Sequence, residues 1–129
     1  MKKEHPNIEV LKRLDLSNIE ACAHIIADDF VWHYFNPELP ELEGDYMGVA
    51  GLADFFQKMA GNTGGTFKVN VISAIPMGDE LVVTHVKDRM LLKGKQIEVD
   101  AVVVWSIVDG KIKEAWDIPA VHSVAVLES

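Results

Sequence analysis

The chain has a single cysteine, Cys22. No internal disulfide can form, and the composition suits a reducing compartment such as the cytoplasm. Basic residues are also scarce: 12 Lys and Arg against 20 Asp and Glu leave a formal net charge of −8. Nucleic-acid backbones are gripped by clusters of Lys and Arg, so no nucleic-acid partner is expected, and no anionic membrane surface either. Apolar runs such as "AVVVW" (101–105) are far too short to span a bilayer. The opening "MKKEHPNIEV" has lysines but no apolar stretch behind them, so no signal peptide is expected. The histidines, His5, His24, His33, His85 and His122, form no H-x-x-x-H pair, and no C-x-x-C is present. No metal site is expected on that spacing. Gly-rich phosphate loops and the G-x-S-x-G elbow are missing as well, and no cofactor is expected.

What is present is a chain of 129 residues, 49% hydrophobic and 25% charged. That suits one domain, spanning 1–129, able to bury a core without disulfide or metal. Residues 5–15 read as a short helix, with Pro6 in its first turn. "DLSNIE" opens a second helix: Ser17 and Glu20 have capping-box spacing, and Ile19, Cys22, Ala23, Ile26 and Phe30 continue it. "FVWHYF" reads as a strand. "NPELPELEGDYMG" reads as a solvated loop with the acids Glu38, Glu41, Glu43 and Asp45. "VAGLADFFQKMA" is a third helix, with Leu52, Phe55, Phe56 and Met59 on one stripe. Four strand-like runs follow, separated by "PMGD", "KGK" and "DG", which predicts an antiparallel meander. Helices first and sheet second is an α+β pattern.

Two features of the second half stand out. Val102, Val103, Val104 and Trp105 are apolar in succession, so both faces of their strand are expected to be covered. A second copy of the chain is the natural cover for the outer face, giving a homodimer. The other feature is Asp117, set between Trp116 and Ile118 near the end of an apolar strand. A charge there costs free energy unless it is paired, hydrated or used.

The order of elements, with "ADDFVWHYFNPELPELEGDYMGVAGLADFFQKM" and the closing "VDGKIKEAWDIPA", resembles SnoaL-like proteins of the nuclear transport factor 2-like (NTF2-like) superfamily, related to the ketosteroid isomerases. The resemblance covers roughly residues 5–125. It implies a cone-shaped α+β fold, three N-terminal helices packed on a curved antiparallel sheet that encloses a pocket. It also places Asp117 at the W-D acid that serves as general acid/base in SnoaL-like polyketide cyclases. A buried carboxyl with a raised pKa can take a proton from carbon beside a carbonyl and return it elsewhere, without metal or cofactor. The cyclases pair that acid with a histidine. An ungapped count back puts Val103 at the histidine's place, a departure from the family pattern. The strand register around "DG" decides whether Val103 shares the face of Asp117: a plain two-residue turn separates them, and a bulge brings them together.

The resemblance therefore implies a cofactor-independent isomerase, cyclase or hydrolase with Asp117 as acid/base, assisted by His33 or His85. Trp32, Tyr46, Phe56, Met59, Asp100 and Trp105 are the candidate ligand contacts, although Asp100 could equally pair with Lys95 or Lys113. The expected ligand is a small apolar or carbonyl-bearing molecule. The alternative is a non-catalytic binding or interaction module on the same fold.

Overall fold

A computed structural model describes residues 4–127. The elements are α1 (Pro6–Lys12), a 3-10 helix (Ile19–Ile25), β1 (Ile26–Tyr34), β2 (Gly44–Met47), α2 (Gly48–Asn62), β3 (Lys68–Met77), β4 (Leu81–Leu92), β5 (Lys95–Val108), β6 (Lys111–Pro119) and β7 (Ala125–Val126). The strands form one sheet in the order β2-β1-β6-β5-β4-β3, with β7 pairing the start of β5 at Ile97 and Glu98. The fold is α+β, as expected, and no helix of the described residues is long and apolar enough to cross a membrane.

Several expectations are corrected. The second helix is a 3-10 segment kinked at Cys22, so the helices among the described residues are two α-helices and one 3-10 helix, and the expected three N-terminal helices are not matched exactly. Its capping box does not form. The Ser17 hydroxyl and amide both donate to Asp15 Oδ1, at 2.5 and 3.0 Å, and Asn18 caps without a side-chain bond. The helical reading also ran too far, because Ile26 and Phe30 belong to β1. Both are buried on the core side, and a buried alternating strand imitates part of a helical stripe over so short a span. "GDYM" is a strand and not loop. The sheet is mixed, because β1 lies parallel to β6.

The meander itself forms as read. Lys93–Gly94 and Asp109–Gly110 all have positive φ, the backbone of a two-residue type I′ turn whose twist matches the strands it joins. After the second turn, Ile107 pairs with Ile112 but Ser106 pairs with Glu114. Lys113 is thus the extra residue of a bulge, and Val103 falls directly opposite Asp117.

Packing centres on aromatic rings. Trp32 lies 5.4 Å from Phe55, 5.8 Å from Phe56 and 5.6 Å from Trp105, centroid to centroid. Phe55 also meets Tyr34 and Tyr46 at 4.7 and 5.2 Å. Leu52, Phe55 and Met59 recur at helical spacing and are the buried face of α2. At the start of that helix, a Cβ on Gly51 would come within 2.8 Å of the Tyr46 backbone, so only glycine lets α2 sit that close to β2. Phe55 is fully buried. Phe55→Ala should cost about 3–5 kcal/mol, read as a lower midpoint in urea unfolding; a change within 1 kcal/mol or so would mean the helix does not rest on this ring.

Candidate functional site

The inner face of the sheet carries alternate residues of each strand. On β4 these are Val82, Thr84, Val86 and Asp88; on β5, Val103 and Trp105; on β6, Ala115 and Asp117. Between this face and the helices lies a cavity of about 300 Å³, lined by Trp32, Phe56, Val86, Asp88, Trp105 and Asp117 among others. That is the lower end of the range for small-molecule sites. A smaller cavity of about 60 Å³ adjoins the same two acids and is lined also by Tyr34 and Met59. Asp88 and Asp117 line both spaces, which puts them at the junction.

Both acids are buried, at 8% exposure each. Burial pushes the Asp117 carboxyl well above the usual carboxylate range, and the charge of Asp88 pushes it further. Burial raises Asp88 to about 7. Tyr34, whose hydroxyl accepts from Asn36 Nδ2 at 2.8 Å, is also raised, first by burial and then by the charges of Asp117 and Asp88. One oxygen of each aspartate, and the indole nitrogen of Trp32, lack a hydrogen-bond partner. By contrast Thr84 is satisfied: it accepts from Trp105 Nε1 at 3.0 Å and donates to the Val103 carbonyl at 3.1 Å.

The residues expected around Asp117 divide into three groups. Trp32, Phe56 and Trp105 line the main cavity, and Met59 lines the smaller one. Tyr46 lines neither; its hydroxyl donates to the Leu42 carbonyl at 2.6 Å and its ring packs on Phe55. His33, His85 and Asp100 sit on the outer face. His33 stacks on Trp116 and bridges Asp45, at 2.6 Å, and Glu114. Desolvation lowers its pKa, but the hydrogen bonds and charges of Glu114 and Asp45 together outweigh that and raise it. His85 Nε2 lies 2.7 Å from Asp100, which holds the Asp100 carboxyl below its ordinary value. The expected assistance of these histidines is therefore corrected: strand alternation sends them away from the cavity.

Asp88 was not among the expected site residues. The signal was present in "VVTHVKDRM", where Val82, Thr84, Val86 and Asp88 share one alternating face. An acid closing that face poses the same question as Asp117. Among the described residues, no group of three or more His, Cys, Asp or Glu side chains is placed to hold a metal ion.

The family model described as a SnoaL-like domain matches residues 9–115, stopping just before Asp117. No curated protein matches the chain by sequence. Among solved structures, Bal32a from a soil-derived mobile gene cassette is 19% identical, with 89% of each chain covered and a TM-score of 0.77. TerC, co-crystallised with polyporic acid, is 25% identical over 88% of this chain and 90% of its own, with a TM-score of 0.74. A putative SnoaL-like polyketide cyclase from Jannaschia sp. CCS1 is 13% identical over 95% and 92%, with a TM-score of 0.69.

Proposed function

The chain belongs to the SnoaL-like domain family, and on that premise we propose that it is a cofactor-independent enzyme acting on a small apolar molecule that bears a carbonyl group. Asp117 is the general acid/base, and the reaction is a proton relocation of the isomerase or cyclase kind. One observation carries this reading. Among the described residues the buried side-chain N and O atoms without a partner belong to Trp32, Asp88 and Asp117, and all three residues line the same cavity. A buried polar group left unpaired costs about 1–3 kcal/mol, and groups of this kind call for an explanation. A carbonyl-bearing ligand supplies partners for an indole N–H and a protonated carboxyl at once. The largely apolar lining accepts its carbon skeleton. The test is Asp117→Asn, which should lower turnover about 10²–10⁴-fold and spare binding.

A second reading is a non-catalytic binder. It is favoured by Val103, which faces Asp117 where the resembled cyclases carry histidine. A binder gives ligand-dependent stabilisation without any turnover for Asp117→Asn to remove.

The homodimer belongs to this proposal too. Ile75, Met77, Val102 and Ile118 are exposed, with Val102 at 37% and Ile118 at 51%. Strand pairing puts Val83 between Ile75 and Val104, and Val102 between His85 and Ile118. These residues form an apolar patch on the outer face, and a second copy of the chain is the cover proposed for it. Sedimentation velocity should give a dimer for the wild-type chain and a monomer for Val102→Glu/Ile118→Glu. A monomeric wild type at micromolar concentration removes this part of the reading.

A further inference from the structure

We propose that Asp88 is the second half of the catalytic site: its carboxylate takes a proton from carbon beside the substrate carbonyl while Asp117, as the neutral acid, holds the carbonyl oxygen. This rests on the acid/base reading of Asp117 and goes beyond it by assigning the base to another strand.

Three features of the geometry support the pair. Asp88 is more than nine-tenths buried, and its Oδ1 has no partner. It closes the inner face of β4, and it borders both the large and the small cavity together with Asp117. Tyr34 lines the smaller cavity with both acids, so the two carboxyls and that ring share one junction. Among the described residues, no cation offsets them from inside. Lys12, the one basic residue lining the main cavity, has its ammonium 2.8 Å from Glu4, on a side chain 67% exposed. Two carboxyls in one apolar space do not ionise together readily. The retained proton is assigned to Asp117, whose carboxyl is raised by burial and further by the charge of Asp88, and an acid and a base are thereby separated within one site.

The step balances within the pair. The Asp88 carboxylate removes the α-proton, and the C–H electrons move toward the carbonyl carbon. The carbonyl oxygen takes the Asp117 proton, giving a neutral enol, a neutral Asp88 and an Asp117 carboxylate. On return, Asp88 delivers its proton to the same or a conjugated carbon and the enol O–H goes back to Asp117. Both carboxyls end as they began. The same arrangement sets the ligand class. A neutral ketone fits, whereas a carboxylate would bring further negative charge against Asp88.

The probe is 2-tetralone, a neutral bicyclic ketone with an acidic α-hydrogen. Deuterium incorporation at that carbon is followed by proton NMR in D₂O. Binding of 2-naphthol, a planar mimic of the enol, is followed by fluorescence. The wild-type chain should accelerate exchange over buffer, and Asp88→Asn should lower the enzymatic rate about 10²–10⁴-fold with 2-naphthol still bound. Exchange kept in Asp88→Asn but lost in Asp117→Asn overturns the pair and leaves the general reading standing. Wild-type protein no faster than buffer overturns both. A third measurement needs no variant and no ligand. Carbonyl ¹³C titration of the folded wild type should show both carboxyls following two shared steps. A single independent step at each overturns the pairing.

Discussion

Unfolding free energy should fall as the pH rises from about 4 to about 7, on the order of 4 kcal/mol from Asp88 alone, and Asp88→Asn should remove most of that fall. Asp88 is raised from an ordinary 3.8 to about 7 by burial. Below pH 4 its carboxyl is protonated in both states, and the folded state has no charge to bury. Between pH 4 and 7 the unfolded chain releases the proton and the folded chain keeps it. The unfolded state then binds fewer protons, so stability declines with pH. Above about 7 the folded state ionises too and the decline from this group ends. Asp117 is shifted in the same direction and adds to the loss. His33 has the same sign, because its raised pKa gives stability that is lost as pH rises through the folded value. Asp15, Asp29, Glu98 and Asp100 are lowered by hydrogen bonds and cations. They act oppositely, but only as pH falls below the carboxylate range. The stability maximum should therefore lie near pH 4–5, below the usual position. Urea unfolding at pH 4.5 and 7.5, followed by tryptophan fluorescence, reads this directly. A flat or rising profile for the wild-type chain would mean that Asp88 is solvated or paired.

The second large effect is on turnover. Asp117→Asn should lower the rate about 10²–10⁴-fold, the usual contribution of a positioned acid or base, while ligand-dependent stabilisation persists. The amide keeps the shape of the carboxyl and can still donate a hydrogen bond, so the ligand remains held. It cannot give up a proton to the carbonyl oxygen, so the step that needs transfer stops. Because burial raises the Asp117 carboxyl and so favours its neutral form, exchange for a neutral amide of the same shape should change folding stability by only about 1 kcal/mol. A loss in kcat with unchanged KM places the role in the transition state. Equal loss of binding and rate would mean that Asp117 only anchors the ligand. No loss of rate would exclude it from the chemistry.

Much of the architecture was open to reading from the chain, and the failures have identifiable causes. The turns were visible because Gly94 and Gly110 stand where positive φ is needed, each between two strand-like runs. Asp117 was visible as an acid on an apolar strand. The bulge at Lys113 was not visible, because nothing in "GKIKEAW" distinguishes a paired lysine from an extra one. Yet that residue decides whether Val103 or Val102 faces Asp117. The 3-10 segment escaped because Ser17 has the right spacing for a cap, and only the structure reveals that Asp15 occupies its hydroxyl and amide. His33 is a different case. Trp32 and His33 are neighbours on one strand and cannot both enter the cavity on a regular pleat, so naming Trp32 as a wall already sent His33 outward. The same alternation on β4 sends His85 outward and Asp88 inward. Histidine draws attention as the residue that titrates near neutrality, but burial gives Asp88 that property instead.

The most direct test of the acid/base reading is the pKa of the Asp117 carboxyl, measured by carbonyl ¹³C NMR titration with Asp117→Asn to assign the resonance. A buried acid in an apolar cavity should titrate well above the unperturbed value of about 3.9. A value at or below it would mean a hydrated or salt-bridged strand end, and would contradict Asp117 as a general acid.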